Sequence, residues 1–183
     1  MLGQILGLLY AGIQVLLPCL PPTPMSSQSL LTHDKYLGDW YFVGVAAFDK
    51  ESIATYMGID NSVAKLSKAS DSSLLMTAAL HQEDECKVFS WTYKVNPASD
   101  PIMKEGEQLG LAFDGKWVNC DSCLLLMKID LEKGFFRIML FARSQESREE
   151  LLKSFKSKMK CLEIDEFMIP SQEKEFCKLD TAS

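Results

Sequence analysis

Residues 38–48 read Gly38-Asp39-Trp40-Tyr41-Phe42-Val43-Gly44-Val45-Ala46-Ala47-Phe48. From Trp40 to Phe48 the run is rich in aromatic and β-branched residues, which suit a pleated, half-buried surface, so it reads as a strand. Outward from it, residues 62–69, 74–81, 87–95, 124–130 and 135–141 are further strand candidates. The breaks between them carry Ser70-Asp71-Ser72-Ser73, Glu83-Asp84-Glu85, Asn96-Pro97-Ala98-Ser99-Asp100 and Glu132-Lys133-Gly134. These polar or φ-permissive residues suit turns. Residues 102–118 must hold one or two more strands, with Gly106, Gly110 and Gly115 blurring the edges. About eight short strands at hairpin spacing predict an antiparallel sandwich or barrel.

The period then changes. Leu151, Leu152, Phe155, Met159 and Leu162 recur at helical spacing. Ser147-Arg148-Glu149-Glu150 before them has the form of a capping box, in which Ser147 caps the N3 amide and Glu150 reaches back. Lys153, Lys156, Lys158 and Lys160 fill the other face as a solvated stripe and favour the C-terminal half of the helix dipole. One amphipathic helix after the strands is expected to lay its apolar stripe on the outside of a barrel.

The chain has 183 residues, 47% hydrophobic and 24% charged, so one folded domain with a sizeable core is expected. A formal charge of −6 argues against a nucleic-acid partner, which needs a basic surface to displace phosphate counterions. The two histidines, His33 and His81, are far apart, and no HExxH, GxSxG or Walker-type motif occurs. These absences favour a carrier or binding module over an enzyme, with no cofactor and no metal expected.

All 19 basic residues lie from Lys35 onward. Ile5–Leu17 is apolar except for Gln14 and the small Gly7 and Gly12. That is too short for a transmembrane helix, which needs about 20 apolar residues. Its length fits the core of a secretory signal, and Pro18, Pro21, Pro22 and Pro24 then halt a helix. Small residues for an A-x-A cleavage site are scarce between Leu16 and Ser26, so retention of the signal as an apolar tail is the expectation. The expected layout is a signal-like anchor at 1–20, a linker at 21–34 and one domain at 35–183. Asn61, Asn96 and Asn119 all fail the N-x-S/T pattern.

Six cysteines with a secretory signal point to disulfides: Cys19, Cys86, Cys120, Cys123, Cys161 and Cys177. Six cysteines allow 15 pairings, and sequence alone leaves the choice open. Cys120-Asp121-Ser122-Cys123 has CxxC form, but no second pair of ligands supports zinc, and a plain disulfide is preferred.

Gly38-Asp39-Trp40, preceded by Tyr36-Leu37, resembles the G-x-W signature of the lipocalins, secreted eight-stranded barrels with one C-terminal helix. Phe141-Ala142-Arg143-Ser144 supplies the matching arginine after the last strand. The resemblance makes Gly38, Trp40 and Arg143 the closure of the barrel. A cation over an indole face contributes about 0.5–2 kcal/mol. Further stretches resemble one lipoprotein-borne lipocalin: Lys50-Glu51-Ser52-Ile53-Ala54-Thr55, Asp60-Asn61-Ser62-Val63, Trp91-Thr92-Tyr93, Phe155-Lys156-Ser157, Cys161-Leu162 and Cys177. That resemblance implies a retained signal anchored in high-density lipoprotein and sphingosine 1-phosphate in the barrel. A soluble plasma carrier of hydrophobic drugs or toxins, similar to α1-acid glycoprotein, is the alternative, and the absent sequons and poor cleavage site count against it. Lipocalins that isomerise prostaglandins use a luminal thiol, and Trp40–Phe48 contains no cysteine.

The resemblance also implies Cys19–Cys161 and Cys86–Cys177. The family's third bridge finds Leu151 where its helix cysteine would fall, and with Cys120 added this suggests Cys120–Cys123 as a local bridge. If Trp91 faces the lumen, as the resemblance implies, then strand alternation brings Phe89 and Tyr93 there too. Arg137 joins Phe135, Met139 and Phe141 inside, and Phe42, Gly44 and Ala46 continue inward from Trp40. The relative's phosphate-facing basic residues correspond here to Phe89 and Glu107, leaving Arg137 as the aligned cation with Lys87 and Lys104 nearby. The expected ligand set is Phe89, Trp91, Tyr93, Glu107, Arg137 and Met139, around a small amphiphilic lipid held by a monomer; with Glu107 in place of a cation, a fatty acid, a retinoid or another single-chain amphiphile is permitted equally with sphingosine 1-phosphate.

Overall fold

The computed structural model describes residues 20–98, 102–113, 115–129 and 137–179. In chain order the elements are α1 (Ser27–Thr32), β1 (Gly38–Ala47), α2 (Glu51–Ala54), β2 (Ile59–Ser70), β3 (Ser73–Gln82), β4 (Glu85–Val95), β5 (Ile102–Lys104), β6 (Glu107–Ala112), β7 (Cys123–Lys128), β8 (Arg137–Ala142), α3 (Arg148–Cys161) and β9 (Glu166–Met168). Each strand pairs antiparallel with the next from β2 to β8, and β1 pairs with both β2 and β8. The sheet therefore closes on itself as an eight-stranded barrel, which removes its free edges. β9 lies against the far half of β1, with Val45 opposite Met168.

Side chains alternate across the wall, so each strand feeds two cores. The inner core holds Trp40, Phe42, Val45, Leu66, Met76, Leu111 and Phe141. The outer core holds Val43, Ala46, Leu125, Met127, Ile138 and Leu140, and α3 covers it with Leu151, Phe155 and Met159. The helical stripe thus sits where its spacing puts it. Its start differs from the expected capping box. Ser147 has φ +58°, in the left-handed region, and makes no side-chain cap hydrogen bond. Arg148 secures that end instead, donating from Nη2 to the Pro170 carbonyl at 2.5 Å.

Two corrections come from local backbone chemistry. Residues 21–34 are packed structure rather than a plain linker. Ser26 accepts from the Ser29 amide to cap α1, and Ser27 and Leu30 are buried. The Met25 amide donates to Leu111 O at 2.6 Å. The second correction is a bulge in β1. Phe42 faces Phe141 and Gly44 faces Leu140, so Val43 is an extra residue. Val43 and Gly44 both point outward, where a Cβ on Gly44 would lie 3.2 Å from the Met168 carbonyl. Alternation then resumes inverted, with Val45 and Ala47 inside and Ala46 outside. Gly44 and Ala46 therefore do not face the lumen.

The end of the barrel at Trp40 is closed. Arg143 places its guanidinium carbon 3.6 Å from the Trp40 ring centroid. The same guanidinium donates to the carbonyls of Asp39 and Lys35 at 2.8 Å and Leu37 at 2.5 Å. The indole Nε1 of Trp40 donates to Tyr36 O at 2.9 Å. Gly38 has φ +99°, and a Cβ there would lie 3.1 Å from Arg143 Nη1, so both the conformation and the space call for glycine.

The chain's last segment wraps the outside of β2–β4. Cys86 on β4 is bonded to Cys177, with Cα atoms 5.7 Å apart. Cys120 is bonded to Cys123 at the start of β7. Cys161 is also disulfide-bonded; Cys19, its expected partner, lies outside the described residues. Asp60 is a second clasp. Burial works against its charge, but Ser171 Oγ at 2.6 Å, the amides of Lys174 and Glu173, and Asn61 Nδ2 all donate to it. These bonds outweigh burial and bring its carboxyl down from 3.8 to about 2. A depressed carboxyl contributes stability above its unfolded value, and loses it as pH falls through its folded value. Acid unfolding is therefore expected to show a loss of stability between 3.8 and about 2 that Asp60→Asn removes. An unchanged slope in that variant would place the acid sensitivity elsewhere.

Candidate functional site

The barrel encloses a cavity of about 270 Å3. Its depth is apolar, lined by Phe42, Ala64, Met76, Leu109, Leu126 and Phe141. Four of these come from strands whose turns the sequence marks plainly; the cavity exists because small Ala64 and Ala78 stand opposite one another where larger residues would fill it. Polar side chains gather toward the open end: Tyr56, Lys104, Glu107 and Arg137. An apolar cleft with a few convergent polar groups is the usual form of a small-molecule site.

The six expected ligand residues, Phe89, Trp91, Tyr93, Glu107, Arg137 and Met139, all line this cavity. Phe89 and Trp91 stack with centroids 5.9 Å apart and planes 17° apart. Phe135 lies outside the described residues. Lys104 reaches the cavity, with Nζ 5.9 Å from the Trp91 ring. Lys87, opposite Leu80 on β3, is not among the lining residues.

The electrostatics differ from the sequence-based expectation at Glu107. Lys128 Nζ on β7 sits 2.6 Å from Glu107 Oε1. The Lys128 hydrogen bond holds the Glu107 carboxyl below its ordinary value. With Arg137 and Lys104 beside this pair, cations outnumber the carboxylate, so the mouth can receive an anion. Arg137 stands 5.0 Å from the Tyr56 ring and donates a long 3.4 Å bond to Ser52 O. It is thus positioned with only weak partners of its own among the described contacts.

Two phenols complete the site. Burial raises Tyr56 and Tyr93 above their ordinary values, so both are neutral donors. Tyr56 Oη donates to Met139 Sδ at 3.4 Å, and Tyr93 Oη to Met76 Sδ at 3.6 Å. Thioether sulfur is a weak acceptor, so an oxygen-bearing ligand would recruit these hydroxyls readily. Tyr56 and Lys128 were not singled out by the sequence. Tyr56 sits in the turn after α2, and Lys128 meets Glu107 only through the β6–β7 register. His81 lies beside the Cys86–Cys177 bridge, but two sulfurs bonded to each other offer no thiolate to a metal.

A family model described as the ApoM domain matches residues 26–181. The chain belongs to the ApoM family. Apolipoprotein M of Rattus norvegicus is 27% identical over 154 residues, 82% of this chain and 80% of the relative. Apolipoprotein M of Mus musculus is 25% identical over 163 residues, 87% of this chain and 84% of the relative. A solved siderocalin, Ex-FABP, titled as functioning through dual ligand specificities, superposes with a TM-score of 0.58 at 16% identity. It covers 79% of this chain and 99% of its own and shows the lipocalin fold. This ApoM-family lipocalin is therefore a carrier of a lipid or other small molecule. No helix among the described residues is long and apolar enough to cross a membrane.

Proposed function

We propose that this ApoM-family chain is a secreted, monomeric carrier of a single-chain amphiphilic lipid with an anionic headgroup, of the sphingosine 1-phosphate kind. The observation that carries the reading is the division of the cavity: an apolar depth, and a mouth where Arg137, Lys104 and the Lys128–Glu107 pair converge. The tail lies against Phe42, Met76 and Phe141. The phosphate meets Arg137 and Lys104, and Tyr56 or Tyr93 donates to an oxygen near the head. A headgroup that also bears an ammonium places it on Glu107, so the carboxylate supports a zwitterionic sphingoid phosphate rather than opposing it. Native mass spectrometry of the purified protein with extracted lipids tests this: one single-chain anionic or zwitterionic lipid per barrel is expected. Recovery of neutral hydrophobic compounds alone would overturn the headgroup assignment.

Glu107→Gln separates the two anion classes. It releases Lys128, so a fatty acid, which has no ammonium, should bind more tightly. Sphingosine 1-phosphate should bind more weakly, having lost its ammonium partner. A change of about three- to tenfold in opposite directions is expected, because a hydrogen bond to a charged group is worth about 1.5–3 kcal/mol and Lys128 offsets part of it. Parallel changes for both ligands would remove Glu107 from the headgroup site.

The apolar residues 5–17 support association with high-density lipoprotein as the chain's anchor. Burial contributes about 25 cal/mol per Å2 of apolar surface, so the segment supplies many kcal/mol before ordering costs. An efficient A-x-A cleavage site placed after Leu17 should release a soluble barrel that still binds ligand. Equal flotation of that variant with lipoprotein would refute the anchor. The domain itself then runs from 35 to 183, with 21–34 packed against it.

A further inference from the structure

The described residues expose four large hydrophobic side chains, Leu20, Phe48, Met57 and Phe89. Leu20 belongs to the closed end, where Trp117 Nε1 donates to its carbonyl. The other three frame the opposite end. Phe48 follows the last residue of β1. Met57, 59% exposed, sits in the turn between α2 and β2, where its carbonyl accepts from Gln82. Phe89, 43% exposed, owes its exposure to a short neighbour. The β5–β6 hairpin turns after Lys104↔Glu107, while β5 meets β4 only at Lys94 and Val95. The wall of the barrel is therefore low beside Phe89. Apolar surface is continuous from this rim into the cavity through Phe89 and Ile59.

We propose that the open rim docks on a zwitterionic phospholipid surface, so that cargo passes between lipid and cavity without crossing water. This rests on the carrier reading above. The rim's charges select the lipid. The cations of the mouth face the cavity, whereas in the two loops that stand outermost acids outnumber bases: Asp49 and Glu51 flank Lys50, and Glu83, Asp84 and Glu85 at the β3–β4 turn meet one lysine, Lys174, which pairs with Asp84. Such a rim repels an anionic surface. It complements a phosphatidylcholine surface, whose outermost groups are choline cations. The apolar side chains then enter the headgroup boundary, where binding grows with apolar area buried. Leu20 lies at the closed end, opposite the docking face.

The test uses the full-length protein without cargo, and vesicles of brominated phosphatidylcholine, which quench nearby indoles. The difference between wild type and Trp91→Phe isolates Trp91, which stacks on Phe89 at the rim. Trp91 is expected to be quenched. Phe48→Ser with Met57→Ser, neither of which lines the cavity, should raise the vesicle concentration for half-quenching by about a hundredfold, since burial of each of the two apolar side chains is worth about a factor of ten. Adding phosphatidylserine should also weaken quenching. Near-ultraviolet circular dichroism checks that the variants fold. Absence of Trp91 quenching in the wild type, whether or not the chain floats with the vesicles through its N-terminal segment, overturns the proposal. So does equal quenching in the double variant. Cargo binding, measured separately, leaves both outcomes unaffected, so failure of the carrier reading is told apart from failure of the docking face.

Discussion

Trp40→Ala is expected to cost about 3–5 kcal/mol, the usual range for removing a fully buried large aromatic. Trp40 has no exposed surface, lies edge-on to Phe113 at 5.8 Å and donates to Tyr36 O. Domains of this kind have about 5–15 kcal/mol in all, so the variant stands near the limit of folding. Arg143→Ala should cost about 2–3 kcal/mol, because a hydrogen bond to a charged donor is worth about 1.5–3 kcal/mol and three such bonds share one guanidinium. The two losses should not add. The ring and the guanidinium are 3.6 Å apart, and each holds the other in place. A coupling of about 0.5–2 kcal/mol is expected from the cation–π contact. Urea unfolding of wild type, both single variants and the double variant measures it. Strict additivity, or a cost for Arg143→Ala under about 0.5 kcal/mol, the level of an ordinary surface change, would show that the closed end does not depend on this clasp.

The closed end was legible through the family resemblance. Gly38 and Trp40 form a local signature whose glycine the conformation explains, whereas Arg143, 104 residues from Asp39, was placed there by the resemblance alone. Six barrel strands and the outer helix were legible because turns and periods are written in neighbouring residues; 102–118 was expected to hold one or two more strands, and it holds β5 and β6. The hidden parts depend on pairing across the fold. Val43 is an ordinary strand residue, and only its partner Leu140, already taken by Gly44, makes it a bulge. Asp60 and Asn61 fall just before the strand candidate 62–69, yet they are buried strand, because residues 171–175 arrive from the far end of the chain to satisfy them. Ninth strand Glu166–Met168 is too short to announce itself without β1 beside it. In the site, Phe89 and Tyr93 of β4 followed from alternation once the resemblance had turned Trp91 to the lumen. The neutralisation of Glu107 did not, since Lys128 is 21 residues away and meets it only by register.

Arg137→Ala should weaken binding of a phosphorylated or carboxylated lipid by about tenfold to a hundredfold, as expected for one charge-assisted contact of roughly 1.5–3 kcal/mol. The fold should survive. Arg137 begins β8 at the open end, its ring contact is with Tyr56, and its hydrogen bond to Ser52 is long at 3.4 Å. The closed end is braced by Arg143 instead. The loss should also be selective, because a neutral fatty alcohol of equal chain length keeps every apolar contact with Phe42, Met76 and Phe141 and has no anion to lose. Arg137→Lys should recover part of the affinity for phosphate, keeping the charge but not the two-pronged geometry. Titration followed by tryptophan fluorescence reports all three, since Trp91 lines the same cavity. Unchanged affinity for the anionic lipid in a folded Arg137→Ala barrel would mean that the headgroup lies elsewhere or is uncharged, and a retinoid or fatty-alcohol type of cargo would then replace the phosphorylated lipid.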